Sequence, residues 1–331
     1  MKTTIAFAGC AHIHTPSFVD KAGKRETLEV RYVWDPDMAL AEEYAGKLGA
    51  EALADDSRIW NDPEVKAVVI TSETCRHREL VKKAAAARKH LFVEKPLGFT
   101  AQDAAEMAEE VEKAGLIFQT GYFMRGFAYN LFLKDAVEKG LFGRITRVRH
   151  SNCHSGSLGG WFDTKYRWMA DPAMAGCGAF GDLGTHSLDI LMWIFGMPEK
   201  VASSIHILTN RYENCDEYGE GILVYKDNMI AGIAAGWVDC VNPVVFEICG
   251  TQGHALVMNG ELYFQSSQVE GSTLSLPLKD LPEALPHAFD LFLDKLEGKE
   301  APLVSAKEAA ERSIVMEALY KANEKGGFVK I

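Results

Sequence analysis

The sequence lacks three things: an excess of positive charge, a hydrophobic run long enough to cross a membrane, and a paired cysteine motif. Its 331 residues include 35 basic and 46 acidic side chains, which gives a formal net charge of −11. Nucleic acids and anionic membrane surfaces both require a basic face, so we expect neither as a partner. No apolar run approaches the roughly 18 residues that a membrane helix needs.

The seven cysteines are odd in number, widely scattered and without a C-x-x-C pair. We therefore predict neither a disulfide framework nor a structural zinc site, and we expect a cytoplasmic protein. A short apolar segment, residues 5–11, follows Lys2 and resembles the core of a signal peptide. Seven residues are at the short end for such a core, so we expect a strand here instead.

Strand and helix patterns alternate through the first third of the chain. Apolar runs at residues 4–8, 28–35, 65–71, 91–96 and 116–122 predict strands, and the segments between them have the period of helices. A doubly wound parallel sheet, covered by helices on both faces, accounts for this alternation.

The pattern changes after Tyr122. Strand-like segments follow one another between residues 200 and 264, with helices predicted before them, at about 185–195, and after them. This indicates an α+β domain with a large, open, mostly antiparallel sheet. We therefore predict an α/β protein with one domain over residues 1–121 and a second over residues 122–331.

The segment AFAGCAHIH, residues 6–14, has the position of a nucleotide-binding loop. In the pattern G-x-G-x-x-G, Gly9 is kept and Ala11 and His14 replace the other glycines. A strand, a tight turn and the start of a helix form the usual pyrophosphate site. Asp35 ends the second predicted strand, where an acid accepts ribose hydroxyls. No basic residue follows it directly, which favours NAD over NADP.

Two other interpretations of this loop remain open. One is an ordinary tight turn without a ligand, and the other is a metal site formed by Cys10, His12 and His14. We predict no metal, because one extended turn cannot easily bring three side chains to one ion. A second set, HSNCH at residues 150–154, is unfavourable because alternation along a strand sends its cysteine and its last histidine to opposite faces.

Two further motifs indicate chemistry. Lys95, in EKP at residues 94–96, follows a predicted strand and can stabilise a developing alkoxide. Asp182 and His186 are four residues apart, so on a helix they share one face. An aspartate beside a histidine fixes its tautomer and raises its basicity, as a general base for a hydroxyl proton requires. The alternatives are a solvated lysine and a surface or core Asp/His pair.

Together these motifs resemble the Gfo/Idh/MocA family, named for glucose-fructose oxidoreductase and inositol dehydrogenase. The resemblance rests on the nucleotide fold, EKP, the closing EKGGFVKI, and AGCGAFGDLGTHSLDI at residues 175–190, which is similar to A-G-G-G-x-x-x-D-x-G-x-H-x-x-D. It covers nearly the whole chain. It implies an N-terminal Rossmann domain and NAD(P)-dependent oxidation or reduction of a sugar, polyol or cyclitol. It also implies a homodimer or homotetramer formed through the C-terminal sheet.

By this resemblance Lys95, Asp182 and His186 match the catalytic residues, with His186 as the acid/base. The expected cofactor-binding residues are Gly9, Ala11, His12, Ile13, Asp35, Thr71, Ser72, His77, Glu94 and Lys95. The sequence departs from the family pattern at Ala11, at His14, at Cys177 in place of a glycine, and at SETCRH, residues 72–77, in place of T-P-x-x-x-H.

The aromatic segment at residues 154–171 is expected to line the substrate cleft, because aromatic faces suit a sugar ring. The expected substrate-binding residues are Tyr122, Arg125, His154, Trp161, Tyr166, Arg167 and Trp168. Core packing is the alternative for each of them.

Two rival functions remain. One is an enzyme with tightly held NAD that oxidises and re-reduces a glycoside within one cycle. The other is a regulatory protein that senses a nucleotide or a sugar without turnover. The replaced loop glycines favour the second, and the retained Lys/Asp/His set opposes it.

Overall fold

The structure, a computed structural model, describes residues 2–331 as two compact units. The first contains residues 2–122, 162–176 and 286–313, and the second contains residues 123–161, 177–285 and 314–331. The predicted division after residue 121 differs from this, because two later segments belong with the first unit. Aromatic packing holds one of them, since the ring of Phe289 lies 4.7 Å from that of Phe18 and 5.0 Å from that of Phe92.

The first unit is built on a sheet of six parallel strands. They are β1 (Thr3–Ala8), β2 (Leu28–Trp34), β3 (Glu51–Leu53), β4 (Val65–Ile70), β5 (His90–Val93) and β6 (Phe118–Thr120). Their order is β3-β2-β1-β4-β5-β6. This order places the carboxyl ends of β1, β4 and β5 next to one another, which is where ligands bind in open parallel sheets.

Helices cover both faces of this sheet. Those of the first unit are α1 (Thr15–Gly23), α2 (Met38–Leu48), α3 (Ser57–Asn61), α4 (Thr74–Ala86), α5 (Ala101–Ala114), α7 (Pro172–Ala175) and α9 (Ala288–Leu296), with a 3-10 helix at Arg167–Ala170. Side chains alternate along β1, so that Ile5 and Phe7 enter one hydrophobic core and Ala6 and Ala8 enter the other.

The second unit is built on an eight-stranded sheet. Its strands are β7 (Ile145–Cys153), β8 (Lys200–His206), β9 (Tyr218–Val224), β10 (Ile230–Gly236), β11 (Val244–Gly250), β12 (Gly253–Met258), β13 (Glu261–Ser266) and β14 (Val329–Lys330). Their order is β13-β12-β11-β7-β10-β9-β8-β14. The β7–β10 pair is parallel and the other pairs are antiparallel. The predicted fold class is therefore confirmed.

Few helices accompany this sheet. They are α6 (Ala128–Glu138), α8 (Ala179–Phe195), the later part of α10 (Ala306–Lys325) and a 3-10 helix at Phe123–Gly126. Helix α8 packs against β7 and β10. It begins six residues before the predicted start at 185, in a glycine-rich stretch with low helix propensity. Within residues 2–331, every helix is too short or too polar to cross a membrane.

Candidate functional site

The loop after β1 is fixed to the ends of β2 and β4. Gly9 has φ +88°, and a Cβ atom at this position would lie 2.3 Å from Cβ of Ser72, so only glycine fits. Thr71, which follows β4, donates through its hydroxyl to the carbonyl oxygen of Gly9 (2.8 Å) and accepts from the amide of His12 through its own carbonyl (2.9 Å). Thr71 and Ser72 therefore contact the loop and fix its conformation. The sequence predicts both residues as cofactor contacts.

The chemistry of this loop fits a pyrophosphate group. The amides of Ala11 and Ile13 donate to no acceptor within residues 2–331, whereas the neighbouring amides of Cys10 and His12 do. The loop leads directly into α1, whose N-terminus adds the positive end of a helix dipole. Backbone donors and a helix N-terminus together form the usual environment for a phosphate, even though two of the three glycines are absent.

Asp35 directly follows β2 and is 4% exposed. Its Oδ2 accepts from the amide of Cys10 (2.6 Å), and its Oδ1 accepts from the amide of Asp37 (2.8 Å). Burial raises the pKa of Asp35, and the two amide hydrogen bonds oppose that shift. The carboxylate thus holds the nucleotide loop, a role that the sequence did not indicate. Its predicted contact with ribose hydroxyls remains a prediction.

Glu94 lies at the end of β5 and is completely buried. Its Oε1 is 3.0 Å from Nδ1 of His14 and 3.9 Å from Nδ1 of His12, and its Oε2 accepts from the amide of Lys95 (2.9 Å). Burial alone would raise the pKa of Glu94, but the charges of His12 and His14 and the hydrogen bond from His14 hold it well below its usual value. The replacement of the third loop glycine by His14 therefore gives this buried carboxylate a partner.

His77, on α4, shapes the turn that carries Lys95. Its Nδ1 lies 3.1 Å from the carbonyl oxygen of Pro96 and 3.2 Å from that of Leu97. Because carbonyl oxygens only accept, Nδ1 carries the proton, and burial lowers the pKa of His77 so that the ring stays neutral. Lys95 itself is 4% exposed, so it is not the solvated lysine of the alternative interpretation.

Trp168 contacts the nucleotide loop. Its Nε1 donates to the carbonyl oxygen of Ala11 (3.0 Å), and its ring lies 6.0 Å from that of His12. The sequence predicts Trp168, Tyr166 and Arg167 as substrate contacts in the second domain, whereas the structure places all three in the first unit. Their roles in substrate binding remain predictions.

Asp182 and His186 lie four residues apart on α8, as the sequence predicts, and therefore share one face of the helix. Oδ2 of Asp182 accepts from Nε1 of Trp237 (3.2 Å). His186 is 4% exposed, and its ring lies 5.4 Å from that of Phe123. Lys95 belongs to the first unit and the Asp/His pair to the second, so the predicted convergence of the three side chains remains a prediction.

The N-terminus of α8 is capped by a residue outside the helix. The carboxylate of Asp216 accepts from the amides of Gly178 (3.0 Å) and Phe180 (2.7 Å), and its carbonyl oxygen accepts from the amide of Ala179 (2.9 Å). A Cβ atom on Gly178 would lie 2.5 Å from the carbonyl oxygen of Asp216, so this glycine is required by a close approach. Asp216 thereby fixes the start of the helix that carries Asp182 and His186.

Two of the other predicted substrate residues make contacts within the protein interior. Tyr122 is 2% exposed and belongs to a hydrophobic core. Arg125 makes a two-pronged ion pair with buried Asp189, at 2.9 and 2.6 Å. These placements favour the core alternative for both residues, and their contact with substrate remains a prediction.

His154 and Trp161 are different, because part of their surface is accessible. Their rings lie 4.7 Å apart with an interplanar angle of 31°, and Trp161 is 47% exposed. Nδ1 of His154 accepts from the amide of Gly156 (2.9 Å), which orients the imidazole. This pair offers an aromatic surface of the kind that sugar rings contact.

The possible metal ligands that lie together in the structure differ from those considered from the sequence. Within residues 2–331 the ligand atoms of His12, His14 and Glu94 lie within 4.8 Å of one another, whereas Cys10 is not a member of this group. Sequence reasoning missed Glu94 as the third member because it is 80 residues from His14 along the chain. It also missed the capping by Asp216 and the contact of Trp168 with the loop.

Comparison with known proteins agrees with this architecture. Residues 3–122 match the family model described as an oxidoreductase family with an NAD-binding Rossmann fold. Residues 131–256 match the model of the GFO/IDH/MocA C-terminal domain.

Three known proteins illustrate the similarity. The 1,5-anhydro-D-fructose reductase of Ensifer adhaerens is 28% identical over 201 residues, which are 60% of this chain and 58% of that protein. The myo-inositol 2-dehydrogenase of Thermotoga maritima is 36% identical over 160 residues, 46% of this chain and 43% of that protein. Levoglucosan dehydrogenase, solved with NADH and levoglucosan, shares the fold with a TM-score of 0.82 at 20% identity, over 100% of this chain and 99% of that one. The chain spans about half the length of the curated relatives that it matches.

Proposed function

The chain belongs to the Gfo/Idh/MocA oxidoreductase family, and from this premise we propose that it transfers a hydride between NAD and a hydroxyl or carbonyl carbon of a sugar, polyol or cyclitol. Its N-terminal region is an NAD-binding Rossmann domain. The observation that supports the catalytic part of the proposal most directly is the placement of Asp182 and His186 on one face of α8.

The loop after β1 would hold the dinucleotide. In this proposal the amides of Ala11 and Ile13 donate to the pyrophosphate, and Asp35 accepts from the ribose hydroxyls at the adenosine end. The negative charge of Asp35 would repel a 2′-phosphate, so NAD is preferred over NADP. Trp168 holds the carbonyl oxygen of Ala11 and so fixes the orientation of the loop amides.

The bound nicotinamide supplies or accepts the hydride, and the side chains handle the proton and the charge. His186 takes the proton of the substrate hydroxyl during oxidation and returns it during reduction. Asp182 orients His186 and stabilises its protonated form, and Trp237 holds Asp182 in turn. Lys95 donates to the same substrate oxygen and stabilises the negative charge that develops on it.

The exposed aromatic pair of His154 and Trp161 is the proposed platform for the substrate ring. An aromatic face packs against the C–H groups of a sugar or cyclitol, while hydrogen-bonding groups beside it select the hydroxyl pattern.

The open face of the eight-stranded sheet is the proposed interface of a homodimer or homotetramer. Ile222 and Ile230 lie on this face of β9 and β10 and are 46% and 48% exposed. Exposed apolar side chains on a sheet face are typical of an assembly surface.

A cytoplasmic location is proposed from the scattered cysteines alone.

The proposal is tested by titrating the purified protein with NADH and with NADPH, followed by nicotinamide fluorescence, and then by screening aldoses, polyols and cyclitols for NAD reduction. We expect NADH to bind at least about tenfold more tightly than NADPH, which corresponds to about 1.4 kcal/mol of charge repulsion at Asp35. Tighter binding of NADPH would refute the role of Asp35.

Nucleotide binding without turnover of any substrate in the screen would favour the regulatory alternative. NAD that remains with the protein after gel filtration would favour the cycling alternative.

A further inference from the structure

The nucleotide loop of this chain contains a group that the proposed hydride transfer does not use. His14 occupies the position of the third loop glycine, and the proposed reaction requires no imidazole there. His12 and His14 both direct Nδ1 toward the same oxygen, Oε1 of Glu94. Two imidazole nitrogens and one carboxylate oxygen thus converge, although Glu94 lies on a different strand end from the histidines.

The spacing of the three ligand atoms fits a small transition-metal ion. Zinc lies about 2.0–2.2 Å from imidazole nitrogen and carboxylate oxygen, so two ligand atoms on a tetrahedral ion are roughly 3.4 Å apart. The two distances to Oε1 of Glu94, 3.0 Å and 3.9 Å, lie on either side of this value. All three ligand atoms lie within 4.8 Å of one another, so small side-chain rotations complete the geometry.

The orientation of His12 is also suitable. Its Nδ1 accepts from the amide of His14 (3.2 Å), and an ion bound to Nδ1 would take the place of this hydrogen bond. His14 is 38% exposed in its side chain, whereas Glu94 is fully buried, so an ion reaches the carboxylate from solvent past His14.

A second trio on the other unit provides a contrast. Glu247, Cys249 and His254 also group their ligand atoms within 4.8 Å. However, Nε of Arg147 lies 3.3 Å from Sγ of Cys249, and a guanidinium nitrogen of Arg149 lies 3.5 Å from the carboxylate of Glu247. Two guanidinium groups at these ligands oppose the approach of a cation, so this trio serves as a control.

We propose that His12, His14 and Glu94 form a binding site for one divalent transition-metal ion of the zinc class. Two nitrogen ligands and one carboxylate match the zinc sites of His₂Glu type and leave at least one coordination position open. Magnesium and calcium are excluded as the preferred ion, because both require mainly oxygen ligands. Where the proposed function holds, the site lies beside the bound dinucleotide, but the proposal does not depend on it.

The test uses Co²⁺ as the probe, because its visible absorption reports both binding and coordination number. The protein is stripped with a chelator and titrated without nucleotide, so that failure of this proposal and failure of the dinucleotide proposal are distinguishable. His14→Ala removes the partly exposed ligand, and Glu94→Gln removes the charge at nearly constant volume. His254→Ala is the matched control on the second trio. Far-ultraviolet circular dichroism and the Tm confirm that each variant is folded.

We expect the wild-type chain to bind one Co²⁺ with the intense absorption of a four- or five-coordinate ion. Loss of a ligand in His14→Ala or Glu94→Gln should weaken binding by more than about 100-fold, beyond the range typical of outer contacts. His254→Ala should bind as the wild type does. The proposal is overturned if the wild type shows no saturable Co²⁺ binding, if folded His14→Ala binds equally well, if His254→Ala abolishes binding, or if Mg²⁺ binds more tightly than Co²⁺.

Discussion

The hydroxyl group of Tyr320 donates a 2.8 Å hydrogen bond to Oδ2 of Asp216, and its oxygen accepts from the amide of Gly181 (3.0 Å). Together with the amides held by Asp216, this gives a partner to each of the first four N–H groups at the start of α8, which a helix cannot satisfy internally. A residue before β9 and a residue of α10 therefore fix the end of the helix that carries the proposed acid/base. Burial raises the pKa of Tyr320 well above its usual value, so its hydroxyl stays protonated and able to donate.

Removal of this cap should destabilise the protein in proportion to the number of amides left without a partner. We expect Asp216→Ala to lower the free energy of unfolding by about 3 kcal/mol and Tyr320→Phe by about 1 kcal/mol, measured by urea denaturation. Asp135→Ala is the control, because it removes an exposed ion pair with Lys139 that is worth less than about 0.5 kcal/mol. Equal losses for all three variants would contradict the capping argument.

The proposed acid/base role of His186 predicts a separation between chemistry and cofactor binding. His186→Ala should reduce kcat by about 10²–10⁴-fold, because the hydroxyl proton then has no positioned acceptor. The Kd for NADH should stay within about threefold of the wild-type value, since the proposed cofactor contacts lie in the first unit, and threefold is below 1 kcal/mol. Stopped-flow and fluorescence measurements separate the two quantities. His206→Ala is the control, because His206 is an exposed residue at the end of β8, and turnover near the wild-type level in His186→Ala would refute the assignment.

The fold could be predicted because its main elements have clear local patterns. The runs that form β1, β2 and β4 are apolar enough to indicate strands, and the run of β4 also indicates burial on both faces of the sheet. Short elements were missed, among them β3 and α3, because their 3 and 5 residues show no periodicity. The early start of α8 was missed because glycines lower its helix propensity, and external capping compensates for this.

The candidate site was less accessible from sequence than the fold. Gly9, Asp35 and the Asp182/His186 spacing are local signals, and the structure places each at the expected element. The contact of Trp168 with Ala11 joins residues 157 positions apart, and that of His14 with Glu94 joins residues 80 positions apart. No local pattern encodes such contacts, because they depend on which strand ends meet.

Trp168 and Trp161 should affect the binding of different ligands. Trp168→Phe removes the hydrogen bond to the carbonyl oxygen of Ala11 and leaves that oxygen without its donor, so it should weaken NADH binding about three- to tenfold, which corresponds to roughly 1 kcal/mol. Trp161→Ala removes the exposed ring beside His154 and should raise the KM of the sugar or polyol while the Kd for NADH is unchanged. Fluorescence titration and steady-state kinetics measure the two effects. If Trp168→Phe altered only the substrate KM, Trp168 would contact the substrate, as the sequence predicts, and would not support the nucleotide loop.

His150 should make stability depend on pH. Burial lowers its pKa to about 3, and its Nδ1 lies 2.9 Å from the hydroxyl oxygen of Ser187 on α8. The unfolded chain binds a proton at this residue below about pH 6.5, whereas the folded chain does so only near pH 3, so stability rises with pH across this window. Each unit of pH below about 6.5 should therefore cost the wild type up to about 1.4 kcal/mol that His150→Asn does not lose. Urea denaturation from about pH 8 down to about pH 4 measures the difference in the free energy of unfolding between the wild type and His150→Asn. The difference near pH 8 gives the effect of the contacts that the substitution removes. If this difference stayed constant with pH, His150 would be protonated as readily in the folded protein as in the unfolded chain. That result would contradict the burial of His150 as a neutral ring beneath α8.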